Sequence, residues 1–116
     1  MAGEKAGEKP HHLGHRARLR ARLLERGGEA LADHEILEFL LFSAQPRGDT
    51  KPLAKALLAR FGSLSAVLAA APAELAGVSG MGEASIAALK VVPEAARRLA
   101  REEAMARPGI DSWQKV

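Results

Sequence analysis

The sequence has no cysteine and no tyrosine, and it contains only one tryptophan and three phenylalanines. Without cysteine the chain cannot form a disulfide scaffold, a thiolate nucleophile or a cysteine-ligated metal site. No apolar run approaches the roughly 20 residues that a membrane-spanning helix needs. The opening MAGEKAGEKPHH is polar and charged, unlike a secretory signal. We therefore expect a cytoplasmic protein with no membrane contact.

Valine, isoleucine and threonine are also scarce, whereas alanine and leucine dominate the chain. Strands favour β-branched and aromatic residues, and helices favour Ala, Leu, Arg and Glu. The composition therefore predicts an all-α fold, a compact bundle of five to six short helices with a core of Leu and Ala. A length of 116 residues allows one small domain with short tails.

Proline, glycine and capping residues divide the chain into three parts: a disordered polar arm (1–13), a helical domain (14–107) and a linker toward a further domain (108–116). The first helix covers residues 14–26 and is ended by two glycines. Asp33 is the predicted N-cap of the second helix, Asp49 or Thr50 of the third, and Ser63 of the fourth. A very short fifth helix follows Pro72. The sixth runs from Glu83 to about Ala106, where Pro93 predicts a kink or a break near residues 89–92.

The most informative segment is residues 73–90, AELAGVSGMGEASIAALK, in which two helices flank a very short turn. A turn this tight favours glycine for its backbone angles, as at Gly80 and Gly82, and Met81 between them can fill the space beneath it. The first N–H groups of the following helix have no partner within that helix and lie at the positive end of its dipole. A phosphate can therefore be held there.

Residues 74–90 resemble the helix-hairpin-helix motif of non-specific DNA-binding proteins, in which Gly80, Met81, Gly82, Ser85 and Leu89 agree with the usual pattern. The resemblance implies that the hairpin grips one phosphodiester backbone. Family hairpins often carry Lys or Arg where this chain has Ala84, and a small residue where it has Ile86. Glu83 adds a negative charge at the helix start. A plain helical turn that uses glycine for geometry alone remains the alternative interpretation.

The positive charge is concentrated at the N-terminal end, because residues 1–26 carry a net charge of +4 and the remainder a net charge of −1. Such asymmetry indicates a polyanionic partner, although a solvated arginine-rich helix has the same pattern. Some of the arginines must face the body of the domain, because a spacing of two residues places them about 200° apart on a helix. The candidate DNA-binding residues are Ser79, Gly80, Met81, Gly82, Glu83, Ala84, Ser85, Lys90, Arg16, Arg18, Arg20 and Arg22.

Two wider resemblances extend this interpretation. The segment HEILEFLLFSAQ, two helices and the hairpin are similar to the helical domain of endonuclease III-type DNA glycosylases. Enzymes of that type that act through a Schiff base place a catalytic lysine just after the hairpin glycines. Ala84 holds that position here, so imine chemistry has no amine. The cysteine ligands of an iron–sulfur cluster are absent as well.

The other resemblance is more specific. The segments GHRARLRARLLERGGEALADHEILEFLLF and DTKPLAKALLARFGSLSAVLAA, then the hairpin and DSWQ, look like the N-terminal region of bacterial RadC-family proteins over residues 14–116. That family is named for DNA repair. Its helical domain precedes a JAB/MPN metalloprotease-like domain, whose zinc-binding pattern is missing from this chain.

These features favour a weak, non-sequence-specific DNA-binding module that is not itself an enzyme and has no cofactor and no metal site. The alternative is a protein-interaction domain that positions a C-terminal JAB/MPN domain and has no role with DNA. His11, His12 and His15 are expected to be solvated rather than metal-bound, and the acidic residues are expected on exposed faces.

Overall fold

The computed structural model describes residues 2–106, with side chains from residue 14 onward. Within that range the chain forms six α-helices and no strand. Their bounds are α1 Ala2–Arg26, α2 Asp33–Ala44, α3 Lys51–Phe61, α4 Leu64–Ala69, α5 Pro72–Ala76 and α6 Glu83–Ala106, with a 3₁₀ turn at Gly28–Ala30 after α1. The predicted all-α fold is confirmed. The linker predicted for residues 108–116 lies outside the described residues.

The ends of two helices differ from the sequence predictions. Helix α1 begins at Ala2 rather than at Gly14, so it includes the stretch that was expected to be a disordered arm. Ala, Glu and Lys are abundant in that stretch and are good helix formers. The N-cap of α2 is Ala32, one residue before the predicted Asp33. Glu35 replaces a side-chain cap, because its Oε1 accepts a hydrogen bond from Ala32 N at 2.9 Å.

The other caps follow the predicted pattern more closely. Ser63 Oγ accepts a hydrogen bond from Ala66 N at 3.0 Å and caps α4 as expected. Thr50 is the N-cap residue of α3, but the side chain that bonds to the first turn is Asp49, whose Oδ1 accepts from Lys51 N at 3.0 Å. Both predicted alternatives therefore contribute to the start of α3.

The core is built around α2, which has its most extensive contacts with α3 and α6. Side chains from five helices are fully buried there: Leu37, Leu41, Ala54, Leu57, Val67, Leu75 and Leu89. Leucine and alanine supply most of this core, as the scarcity of aromatics required. Helix α1 packs on α2, where its Leu19 is also fully buried.

Helix α6 continues through Pro93 without ending, so of the predicted kink or break the break is wrong, and the kink stays a prediction. A proline removes one main-chain donor and leaves the rest of the hydrogen-bond ladder in place, which a long helix can accommodate. From residue 95 to residue 106 the side chains of α6 are all exposed. The second half of α6 therefore extends beyond the part of the helix that packs on the described domain.

Candidate nucleic-acid interface

The two glycines of the α5–α6 hairpin have different roles. Gly80 has φ of +98°, a left-handed conformation that L side chains rarely adopt. A methyl group at Gly80 would lie 3.4 Å from Leu53 Cδ1 of α3, which is an ordinary van der Waals contact, so the backbone angle and not the lack of space favours glycine there. Gly82 is outside the positive-φ region, and a methyl group there would meet no atom within 4 Å. Gly80 is therefore needed for the turn, whereas Gly82 leaves open space at the start of α6.

Exposed main-chain amides lie at that open space. Met81 N donates to Val78 O at 3.1 Å, and Ile86 N donates to Gly82 O at 2.9 Å, which makes Gly82 the residue that precedes the first turn of α6. The N–H groups of Gly82, Glu83 and Ala84 have no hydrogen-bond acceptor within residues 2–106. These three residues are exposed. Unpaired amides at the positive end of a 24-residue helix form a favourable position for an anion.

The side chains that were expected to assist at the hairpin are engaged elsewhere. Ser85 is only 1% exposed, and its Oγ accepts a hydrogen bond from Gln45 Nε2 at 2.8 Å. Its hydroxyl group is therefore not presented at the surface. Lys90 Nζ donates to the carbonyl oxygens of Leu68 and Ala70, both at 2.8 Å, at the C-terminal end of α4. Its ammonium group is therefore bonded to that helix end, although the side chain also lines the groove that Gly82 and Glu83 border.

Met81 is partly buried and packs against the core, as predicted for a residue beneath the turn. Together with Gly82 and Glu83 it also lines an open, mostly apolar groove between α5 and α6, whose other walls include Pro72 and Ile86. Two of the three residues with unpaired amides, Gly82 and Glu83, therefore border this groove. Ser79 is exposed and directly precedes Gly80, on the α5 side of the turn in sequence.

The arginines of α1 divide into buried and exposed members. Arg16 is 8% exposed, donates to Pro46 O at 2.9 Å and Gly48 O at 2.7 Å, and lies over the Phe42 ring. It therefore holds the α2–α3 loop and is unavailable to a ligand. Arg18 and Arg20 are exposed. They are the two α1 candidates that the fold leaves accessible to phosphate.

Arg22 serves the packing of α1 on α2, since its Nη1 lies 2.8 Å from both carboxylate oxygens of Glu35. Burial by itself raises the pKa of Glu35. The hydrogen bond from Ala32 N–H and the ion pair with Arg22 outweigh burial, so the pKa lies below its usual value of 4.5. This ion pair matches the expectation that some arginines would meet acids of the second helix.

A buried carboxylate was not foreseen from the sequence. Glu38 of α2 is fully buried, and its Oε1 accepts from His15 Nε2 at 2.8 Å. Its Oε2 lies 3.6 Å from His34 Nε2 and has no hydrogen-bond partner within the side chains described. The expectations of exposed acids and of a solvated His15 are thus wrong at these positions. The only sequence signal was the position of Glu38 among apolar residues of α2.

The described residues show no group of three or more His, Asp or Glu side chains arranged to hold a metal ion. None of the helices in residues 2–106 combines the length and the apolar character required to cross a membrane.

The fold and the hairpin define a small all-α domain in which a glycine turn directly precedes the last long helix. Residues 11–87 match the family model described as UPF0758 N-terminal. The chain is also 54% identical over 98 residues to a UPF0758 protein of Rhodobacter capsulatus, and the match covers 84% of this chain and 46% of that protein.

The chain belongs to the UPF0758 family, which is the RadC-like family. The predicted resemblance is therefore confirmed at the level of the family. The chain spans about half the length of this curated relative. No solved structure matches the chain.

Proposed function

We propose that this domain binds DNA weakly and without sequence specificity, by holding a backbone phosphate on the hairpin amides of Gly82, Glu83 and Ala84. The observation that carries the proposal is that these N–H groups belong to exposed residues at the start of α6 and have no acceptor in the described part of the chain. The open space at Gly82 lets a phosphate oxygen approach the main chain closely.

The hairpin supports phosphate contact more than base recognition. Sequence is read mainly by side chains that donate to or accept from base edges. The polar side chains beside the turn, those of Gln45 and Ser85, bond to each other. Glu83 places a carboxylate next to the amides and opposes a phosphate. We therefore expect binding that depends little on sequence and is weaker than that of a hairpin with a lysine or arginine in place of Ala84.

Arg18 and Arg20 supply the long-range attraction in this proposal, because they are exposed on α1. Each neutralised phosphate contributes about −0.9 to the slope of log K against log salt, and we expect ~3–5 such contacts. Affinity is then micromolar or weaker at physiological salt. We further propose that the domain acts in the bacterial cytoplasm as the N-terminal part of a RadC-like protein associated with DNA repair.

A titration of ¹⁵N-labelled protein with a short duplex tests the proposal. At low ionic strength the amide signals of residues 79–85 should shift, the duplex sequence should matter little, and the affinity should fall steeply as salt is added. Absence of salt-sensitive binding would exclude a DNA-binding function. Shifts confined to the exposed arginines of α1 would instead indicate general charge attraction without a role for the hairpin.

A second candidate is a domain that positions the remainder of a longer protein, which the resemblance implies to be a JAB/MPN domain. One observation favours it: on α6 Val91 is 60%, Leu99 58% and Met105 72% exposed. Exposed large apolar side chains mark a surface that meets a partner where they form a contiguous patch. Hydrogen exchange on the full-length Rhodobacter capsulatus relative tests this candidate, since a docked domain should slow exchange in the equivalent of residues 95–106.

A further inference from the structure

Gln45 is the only side chain, among those the structure describes, that hydrogen-bonds both to a residue before the unpaired amides of the hairpin and to a residue after them. It follows the last residue of α2, and its main-chain N–H donates to Leu41 O at 2.8 Å. Its side-chain Nε2 donates to Gly80 O at 3.0 Å and to Ser85 Oγ at 2.8 Å. Both hydrogens of one amide group are thus used by residues 35 and 40 positions away in sequence.

These two contacts flank, in sequence, the residues whose amides are proposed to hold the phosphate. Gly80 precedes the unpaired amides, and Ser85 lies in the first turn of α6 after them. With Gly80 O held by Gln45 and Met81 N–H held by Val78 O at 3.1 Å, both polar groups of the peptide between Gly80 and Met81 are bonded. That peptide therefore cannot rotate without losing a hydrogen bond on either side.

The remaining contact of the turn comes from α3 and is apolar. Leu53 lies against Gly80, where its Cδ1 is 3.4 Å from the place that a methyl group would occupy. This contact limits how far the turn can move toward α3 but does not fix the direction of the Gly80 carbonyl. The direction of that carbonyl is set by Gln45 alone among the described side chains.

We propose that Gln45 is a positioning residue for the hairpin: it fixes the Gly80 carbonyl and Ser85 so that the N–H groups of residues 82–84 stay exposed and converge on one phosphate. This inference rests on the proposed function. Because the amides are ordered before the ligand arrives, binding has less conformational entropy to lose. Gln45 itself does not touch the ligand.

The test compares Gln45→Ala and Gln45→Glu with Ser43→Ala. Gln45→Glu nearly preserves shape. Its carboxylate can still accept from the Ser85 hydroxyl, but it has no hydrogen for the Gly80 carbonyl. Ser43→Ala removes a polar contact from the same helix that does not involve the hairpin, since Ser43 Oγ donates to Phe39 O at 2.9 Å. Each protein is first melted to confirm that it folds.

The first measurement is made without DNA. In both Gln45 variants the amide signals of residues 79–84 should shift and exchange with solvent faster than in wild type, whereas those of Ser43→Ala should not change. Unchanged hairpin amides in both Gln45 variants would overturn the inference, whether or not the wild-type protein binds DNA. The second measurement is the affinity for a short duplex at low salt.

Loss of an ordering hydrogen bond should weaken that affinity on the order of tenfold in Gln45→Ala, with an intermediate loss in Gln45→Glu. Disordered hairpin amides with undiminished DNA affinity would also overturn the inference, because the proposed function would then not need the positioning. Failure of the wild-type protein to bind any duplex would overturn the proposed function, and Gln45 would then have no ligand-positioning role.

Discussion

Replacement of Gly82 by aspartate should make the domain more stable and a poorer DNA binder. Gly82 precedes the first turn of α6, since its carbonyl oxygen accepts from Ile86 N, and the amides that follow it have no partner. An aspartate there can accept a hydrogen bond from those amides as an N-cap. Its backbone φ does not require glycine, and a side chain would enter open space.

The two effects have opposite signs and measurable sizes. An aspartate N-cap in place of glycine stabilises by a few tenths of a kcal/mol, and its charge at the helix N-terminus contributes roughly 0.3–1 kcal/mol more. For a domain of this size, about 1 kcal/mol corresponds to a shift in melting temperature of about 4–8 °C. Occupied amides and a second carboxylate beside Glu83 should weaken DNA binding at least about tenfold, which corresponds to about 1.4 kcal/mol.

Thermal melts and a fluorescence titration with labelled duplex measure both effects on the same samples. Gly82→Asn is the matched control, because asparagine also caps helices but adds no charge. Ala104→Asp reports the effect of one added negative charge far from the hairpin. The reasoning is refuted if Gly82→Asp is stabilised and still binds duplex as tightly as wild type, because the capped amides would then not be the binding position.

Three further predictions concern packing, pH and charge. Leu57→Ala should lower the free energy of unfolding by about 2–5 kcal/mol, whereas Leu24→Ala, at a side chain 82% exposed, should change it little in the same denaturant titration. Glu35→Gln should destabilise the domain by roughly 1 kcal/mol at pH 7. Since the folded pKa of Glu35 lies below 4.5, its contribution is present above that pH and is lost as the pH falls through the folded pKa, so melts in acid should show the two proteins converging. Replacing Arg18 and Arg20 together by glutamine should reduce the salt slope of DNA binding by up to about 1.8 without changing stability noticeably, and an unchanged slope would exclude phosphate contacts from these two arginines.

The parts of the fold that depend on local sequence were predictable. Ser63 caps α4 through an amide three residues away, and Gly62, with φ of +99°, ends α3 as a glycine typically does. The start of α1 was not predictable from local sequence, because Ala, Glu and Lys favour a helix but occur equally in polar arms. A single sequence does not distinguish these outcomes.

The candidate site was only half predictable for a related reason. The unpaired amides follow from the glycine turn and the start of a helix, which are adjacent in sequence. The partners of Ser85 and Lys90 are not adjacent, since Gln45 lies 40 residues from one and Leu68 lies 22 residues from the other. Glu38 is likewise buried because the fold brings His15 to it from 23 residues away. Contacts at such separations leave no periodic pattern in one sequence.

The internal hydrogen bonds of Ser85 and Lys90 affect how far the hairpin could recognise a particular DNA sequence. If Lys90 and Ser85 faced outward, the hairpin would present a cation and a hydroxyl group that contribute to the affinity through their own chemistry. Instead they stabilise the end of α4 and the position of Gln45, and the polar groups left at the turn are main-chain N–H groups, the exposed Ser79 side chain and the Glu83 carboxylate. Main-chain amides are the same for every side chain and suit a phosphate, which is the same for every nucleotide. Under the proposed function, preferences among nucleic acids should therefore follow their shape and charge density rather than their base sequence.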